Sequence, residues 1–229
     1  MFISIIVPVL NEQAHIVATL NAVQQLPGNK EILVVDGGSS DSTVELARSQ
    51  DVRVLEAPKG RGPQMHAGAL EASGDILWFV HADTVPPPGA LHEIERALED
   101  EQIAGGNFGL RFDGSSPAAK RLTAVYPLLR LLGLCYGDSG IFVRKSAYEQ
   151  VGGFRALALF EDLDLLRRLR RAGKFVHLPC SIVTSSRRFE QRNFALVWLH
   201  WTTLQCLYWC GVSPNLLARW YRHARGSNA

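Results

Sequence analysis

Polar residues crowd the ends of three apolar runs in the first half of this chain. Ile3–Val7 is followed by Pro8-Val9-Leu10-Asn11-Glu12, Glu31–Val35 by Asp36-Gly37-Gly38-Ser39-Ser40-Asp41, and Ile76–Val80 by His81-Ala82-Asp83-Thr84. Carboxylates gathered at one place can hold a hard divalent cation and, through it, an anionic ligand. Taken singly, an Asp at a strand end is more often a turn or cap residue, because Asp and Asn close turns by bonding nearby backbone. The number of them that would converge gives the set its weight.

Convergence requires a particular architecture. The runs Ile3–Val7, Glu31–Val35, Val52–Leu55 and Ile76–Val80 alternate with helical patterns, which predicts a parallel α/β sheet. In such a sheet ligands lie outside the carboxyl ends of the strands, so Asn11, Glu12, Asp36 and Asp83 are expected on one rim. Ile16, Leu20 and Val23 share one helical face, and Ser42-Thr43-Val44-Glu45 reads as a capping box opening the next helix. After Pro86-Pro87-Pro88-Gly89 comes a predicted helix, Ala90–Leu98. The rhythm then changes. A Gly-rich strand is expected over Ala104–Phe112, an apolar helix around Leu122–Leu134, a strand near Ile141–Arg144 and a basic helix over Asp162–Ala172. One mixed domain accommodates all of this in 229 residues.

Lys and Arg number 24 against 22 Asp and Glu, a net charge of +2 that hides an asymmetry. Residues 1–115 hold 7 basic and 16 acidic side chains, and residues 116–229 hold 17 and 6. An acidic half suits a divalent cation, and a basic half suits phosphates or an anionic membrane surface, unless both are only solvated helix faces. Nucleic acid is not expected, because no recognition motif interleaves the basic residues. The four cysteines, Cys135, Cys180, Cys206 and Cys210, do not match a disulfide framework, which implies a reducing, cytosolic compartment, and Cys206 and Cys210, without a second pair at zinc spacing, are expected to be buried free thiols. The start, MFISIIVPVLNE, has no basic leader region and no small-residue cleavage site, and reads as a first strand rather than a signal peptide.

From Asn193 to Ala218 no residue is charged, and Trp198, Trp201, Tyr208 and Trp209 sit among Leu and Val. Such a stretch could span a bilayer, lie in its interface at the inner face, form a dimer contact or fill the core. Polar His200, Thr202, Thr203 and Gln205 interrupt it, and arginines flank it, which favours an interfacial or dimer-contact helix.

No P-loop is present, and the first strand-to-helix turn, Pro8–Ala14, lacks the glycines of a dinucleotide fingerprint. The motifs instead resemble a known family. Ile5-Ile6-Val7-Pro8-Val9-Leu10-Asn11-Glu12, Val34-Val35-Asp36-Gly37-Gly38-Ser39-Ser40-Asp41 and Trp78-Phe79-Val80-His81-Ala82-Asp83 are similar to the nucleotide-sugar half of family 2 glycosyltransferases of the GT-A fold. Gly137-Asp138-Ser139-Gly140, Val151-Gly152-Gly153-Phe154 and Glu161-Asp162 resemble its acceptor half. His81-Ala82-Asp83-Thr84, Gly60-Arg61-Gly62-Pro63-Gln64-Met65 and Ser186-Arg187-Arg188-Phe189 further resemble a short bacterial subgroup associated with radical-SAM and selenodomain proteins.

The resemblance implies a GT-A domain over 1–190, divided at residue 115 into donor and acceptor halves, and a C-terminal helical segment over 191–229. It places Pro8, Asn11, Glu12, Asp36 and Arg61 at the nucleotide. Asp138, Arg187 and Arg188 would meet substrate, the arginines receiving a lipid-linked or anionic acceptor. Asp83 would hold Mg²⁺ or Mn²⁺, with His81 standing where the family has its first acidic ligand. Asp162, beside Glu161, would be the base of an inverting transfer from a nucleotide-diphospho sugar, a UDP-sugar above all. Displacing a nucleoside diphosphate builds charge on the leaving phosphate, which a cation neutralises, while a carboxylate takes the acceptor's proton. A helix N-terminus would favour ionised Asp162. The competing readings are a sugar-phosphate nucleotidyltransferase, which would carry its Gly-rich loop where this chain has Asn11-Glu12, and a non-catalytic nucleotide-sugar or lipid-binding module.

Overall fold

The computed structural model describes residues 1–131, 136–187 and 194–224. Four parallel strands form its first half: β1 (Ile3–Val9), β2 (Lys30–Asp36), β3 (Arg53–Glu56) and β4 (Ile76–Phe79). Every residue of β1 and β4 is buried, which is why their sequences run apolar without alternation. Ile3, Ile5, Val7 and Val9 pack with Ile16, Leu20 and Val23 of α1 (Ile16–Gln24) and with Leu91 and Ile94 of α4 (Ala90–Ala97). The opposite face puts Ile6, Leu33 and Val35 against Met65 and Ala69 of α3 (Arg61–Glu71) and Leu165 and Leu169 of α7 (Glu161–Ala172). The result is a sheet between two helical layers.

The second half completes that sheet, in the order β3-β2-β1-β4-β7-β6-β8-β5. Here β5 is Thr84–Val85, β6 Ile103–Phe112, β7 Phe142–Arg144 and β8 Lys174–Thr184. β7 runs antiparallel to both β4 and β6, and β8 is parallel to β6. Two reversals cancel, so β6 and β8 end on the same edge as β1, β2 and β4. That edge is the rim expected from the sequence. The chain leaves β1 for β2 on one side and returns to β4 on the other, so the crevice opens where the strand order reverses.

Several elements differ from the expectation. β8 escapes a period-two reading because Pro179 lies inside it, and the register slips between Asn107/His177 and Gly109/Ser181, a bulge that accommodates the proline. α3 begins within Gly60-Arg61-Gly62-Pro63, whose composition signals a loop. α2 (Thr43–Arg48) starts after Ser42, but no Ser42 side-chain cap forms. Asp41 does the capping instead, accepting the Thr43 N–H at 3.0 Å. The helix expected around Leu122–Leu134 begins earlier, as α5 (Pro117–Leu131). Short α6 (Lys145–Gln150) follows β7.

The uncharged C-terminal stretch forms two helices, α8 (Phe194–Trp209) and α9 (Pro214–Ala224). Gly211, at φ 88°, and Pro214 at the first position of α9 make the break. No helix among the described residues is long and apolar enough to cross a membrane, which removes the spanning alternative. Trp198 and Trp201 pack on Ala118 and Leu122, and Leu204 and Leu217 are buried. Leu196, Leu199, Trp209, Leu216 and Trp220 remain exposed. Cys206 and Cys210 are exposed as well, so the expected burial of these thiols does not hold; Cys180 is half-buried, and Cys135 lies outside the described residues.

Close packing of α3 on the sheet depends on Gly68. A Cβ there would lie 2.5 Å from Ile6 Cγ2 and 2.9 Å from Val35 Cγ2. Gly68→Ala is therefore expected to cost about 1–3 kcal/mol through overpacking, read as a lower urea midpoint with an unchanged slope.

Candidate functional site

The loops after β1 and β2 are stitched together by side chains. Asn11 adopts φ 55°, a conformation Asn tolerates better than most residues. Its N–H donates to Ser39 Oγ at 2.9 Å and its Oδ1 accepts the Ser40 N–H at 2.8 Å. Asp36, 5% exposed, accepts from the N–H groups of Gly38 and Ser39 and from the Ser39 hydroxyl, so its carboxylate shapes the loop it opens. Pro8 is buried within β1, paired in register with Val35. A residue that sequence reading passed over holds the two strand ends in place: buried Gln64 of α3 donates its amide to the carbonyls of Val9 and Val35 at 2.7 and 2.8 Å. Its only signal was a polar residue on the buried face of a helix the composition concealed.

The other side of the rim is set by strand pairing. Thr84 of β5 pairs with Thr184 of β8, and the Ser185 N–H donates to the Asp83 carbonyl at 3.2 Å. Asp83 and Arg187, more than a hundred residues apart, therefore meet. Arg187 Nη2 lies 3.1 Å from Asp83 Oδ2 and 2.6 Å from Glu12 Oε1. Partial burial opposes the arginine's charge, but Glu12 and Asp83 outweigh it and raise its pKa. Arg187 thus lies on the rim, between the residues that follow β1 and β4. Arg188 lies outside the described residues.

His81 links this rim to a third group. Its Nδ1 is 2.7 Å from Asp138 Oδ1, on the 3₁₀ turn Gly137–Ser139. A Cβ on Gly137 would lie 3.0 Å from His81 Nε2 and 3.5 Å from Asp162 Oδ2, so these two side chains flank that glycine. Asp162 Oδ2 accepts the Gly137 N–H at 2.7 Å, and its Oδ1 accepts the Leu163 N–H at 2.8 Å. Glu161 pairs with Arg61 Nε at 2.8 Å. The segment leading into α7 closes on the N-terminus of α3 because Gly62 has no side chain: a Cβ there would sit 2.7 Å from the Arg155 carbonyl. Phe160, at φ 62°, turns the chain into α7 in a strained conformation and rests its ring on Tyr208, centroids 4.8 Å apart.

Asp162 is 5% exposed and Glu161 3%. Burial, and then the neighbouring Glu161, push the Asp162 carboxyl up to about 6, against the opposing pull of Arg61 and the two backbone N–H groups. Glu161 foremost, with Asp162 and Asp138, keeps Arg61 firmly protonated against the cost of burial. A cavity of about 320 Å³ opens beside Asp162, Asp138 and Arg61 and extends between α5 and α8. A wider, shallow depression of about 860 Å³ lies at the opposite edge, among Met1, Lys30, Arg53 and Asp75 at the amino ends of the strands, and holds none of the rim residues.

No three His, Cys, Asp or Glu side chains among the described residues converge tightly enough to hold a metal by themselves. Mg²⁺, however, is commonly bound by one or two carboxylates together with substrate phosphates. Asp83 and Glu12 meet one positive group, and Glu12 Oε2 is buried with no hydrogen-bond partner among the described residues. That donor set fits a divalent ion shared with a diphosphate.

Such a sheet, with polar loops at its switch point and a buried carboxylate facing them across a cleft, defines a GT-A glycosyltransferase domain. The family model described as Glycosyl transferase family 2 matches residues 4–156, and the chain belongs to that family. It is 30% identical over 169 residues to the glycosyltransferase AglE of Haloferax volcanii, covering 67% of this chain and 56% of AglE. The mannosyltransferase PcManGT of Pyrobaculum calidifontis, solved with GDP-Man and Mn²⁺, superposes on 99% of this chain and 65% of its own, with a TM-score of 0.67 and 17% identity. Glucosyl-3-phosphoglycerate synthase of Mycobacterium tuberculosis, solved with Mn²⁺, UDP and glucosyl-3-phosphoglycerate, covers 85% of this chain and 74% of its own, with a TM-score of 0.61 and 21% identity. The chain spans about half the length of the curated relatives it matches.

Arg61→Ala leaves buried Glu161 without its partner and is expected to destabilise the fold by about 2 kcal/mol. Adding Glu161→Gln should return part of that loss. Equal destabilisation of the single and double variants in urea unfolding would show that the pair contributes nothing specific.

Proposed function

We propose that this chain transfers a sugar, with inversion, from a nucleotide-diphospho sugar to an acceptor held in its second half. The observation that carries the reading is Asp162: buried, held by two backbone N–H groups, raised in basicity, and placed where the donor rim meets a cavity. Asn11, Glu12 and Asp36 shape the donor side, and Arg61 and Arg187 supply positive charge for a diphosphate. A UDP-sugar is the first candidate donor; the GDP-Man complex of a structural neighbour makes a GDP-sugar the second. Mg²⁺ or Mn²⁺ would be held by Asp83, with Glu12 beside it, and would neutralise charge on the departing diphosphate. With Nδ1 engaged by Asp138, His81 would reach an ion through Nε2.

The acceptor hydroxyl approaches from the face opposite the diphosphate, and the Asp162 carboxylate takes its proton. Family membership favours this over nucleotidyl transfer or a non-catalytic module. The exposed apolar residues of α8 and α9 leave a membrane surface or a second copy of the chain as contacts for that segment. Membership of the radical-SAM and selenodomain-associated subgroup rests on the sequence motifs alone.

Transfer needs ionised Asp162, so turnover is expected to rise with pH through about 6 and level off above it. Asp162→Asn should remove that limb and lower transfer by on the order of 10²- to 10⁴-fold, with UDP affinity within a few-fold. An equal loss of UDP affinity would instead make Asp162 an organiser of the pocket.

Asp83→Asn is expected to abolish stimulation of donor hydrolysis by Mn²⁺, measured as UDP release from UDP-glucose. Full stimulation in the variant would remove Asp83 from metal binding and leave Arg187 and Arg61 as the charges on the diphosphate.

A further inference from the structure

The cavity beside Asp162 has walls of Phe112, Tyr126, Leu129, Trp198, Trp201 and Trp209, and the charged residues that line it are Arg61, Asp138 and Asp162. An apolar hollow of this size with a few polar groups has the character of a small-molecule site. Its charge is unsuited to an anion. Among the described residues, Arg61 is paired with Glu161 and His81 lies on Asp138, so one guanidinium and one imidazole face three carboxylates, Glu161, Asp138 and Asp162. Arg187 is held on the donor rim by Glu12 and Asp83.

Gln205 of α8 supplies a second, independent observation. It lines the cavity and is 5% exposed, and neither its Oε1 nor its Nε2 has a hydrogen-bond partner among the described residues. Burying a primary amide in an aromatic pocket without partners is costly, and a bound molecule carrying its own uncharged polar group removes that cost.

Resting on the glycosyl-transfer reading above, we propose that this cavity takes a neutral, largely apolar alcohol as the sugar acceptor, with its hydroxyl at Asp162 and an uncharged polar group on its body bonded to Gln205. In the transfer, the hydroxyl oxygen forms the bond to the anomeric carbon. The bond from that carbon to the diphosphate oxygen breaks, its electron pair leaving with the diphosphate, and the hydroxyl proton passes to the Asp162 carboxylate. A flat ring system and an isoprenoid chain both supply this chemistry.

The test is a thermal-shift titration of the whole chain with 2-naphthol, 6-acetyl-2-naphthol and farnesol, and with 2-naphthyl phosphate and farnesyl phosphate. At least one alcohol is expected to bind saturably and at least tenfold more tightly than its phosphate. Tighter binding of the naphthols identifies a ring acceptor, and tighter binding of farnesol an isoprenoid one. If rings bind, the acetyl carbonyl should improve affinity severalfold. Gln205→Leu should erase that preference while raising the melting temperature of the ligand-free protein; a Gln205 that serves only the fold would lower that temperature and leave the preference intact. Phosphates binding as tightly as the alcohols, or no saturable binding by any alcohol, overturns the proposal. UDP and GDP binding, titrated separately, keep the two readings apart: alcohol binding with neither nucleotide bound sinks glycosyl transfer, and binding of either nucleotide without alcohol binding sinks only the acceptor assignment.

Discussion

Two adjacent carboxylates, Glu161 and Asp162, are kept almost wholly out of water, and much of the surrounding structure compensates for that burial. An ionised carboxylate in such a place needs opposite charge and hydrogen-bond donors. α3 delivers Arg61 to Glu161, and the turn at Gly137 delivers a backbone N–H to Asp162. Both deliveries depend on missing side chains, since Gly62 lets the segment before α7 close on α3 and Gly137 leaves room beside His81 and Asp162. The compensation is incomplete for Asp162, whose raised pKa is the residue of that imbalance and the source of its basicity.

The acidic first half and basic second half are reconciled at the same place. Glu12 and Asp83 of the acidic half receive Arg187 from the basic half, and Glu161 of the basic half receives Arg61 from the acidic one. The charge asymmetry is thus partly an internal complementarity that joins the two halves across the cleft. Arg167, Arg170 and Arg171 of α7, by contrast, are exposed to solvent.

The apolar C-terminal stretch shows a different economy. α8 is largely apolar, and its few polar residues are spread around its circumference, so its pattern names no buried side. One flank packs against α5 and walls the cavity through Trp198 and Trp201, while Leu196, Leu199 and Trp209 stay exposed. A single segment thereby serves the site and presents an open apolar surface.

The sequence by itself determined β1 to β4 and the rim they end on, but neither β8, with Pro179 inside it, nor the start of α3. Continuous apolar runs could only be doubly covered strands, and parallel strands put their following residues on one edge, which is why Asn11, Glu12, Asp36 and Asp83 were legible. The family was legible in the motifs, and the match over residues 4–156, which ends before Glu161-Asp162, established membership. The tertiary structure alone decided who meets whom. That Asp36 spends its oxygens on its own loop, that Gln64 clips two strands, that Arg187 reaches Asp83 through the β5–β8 pairing and that Gln205 lines the cavity are all long-range or solvent-exclusion outcomes. Hydrophobic period records which face is buried, not which partner covers it, so pairings across a hundred residues and the lining of a cavity leave no mark in the pattern.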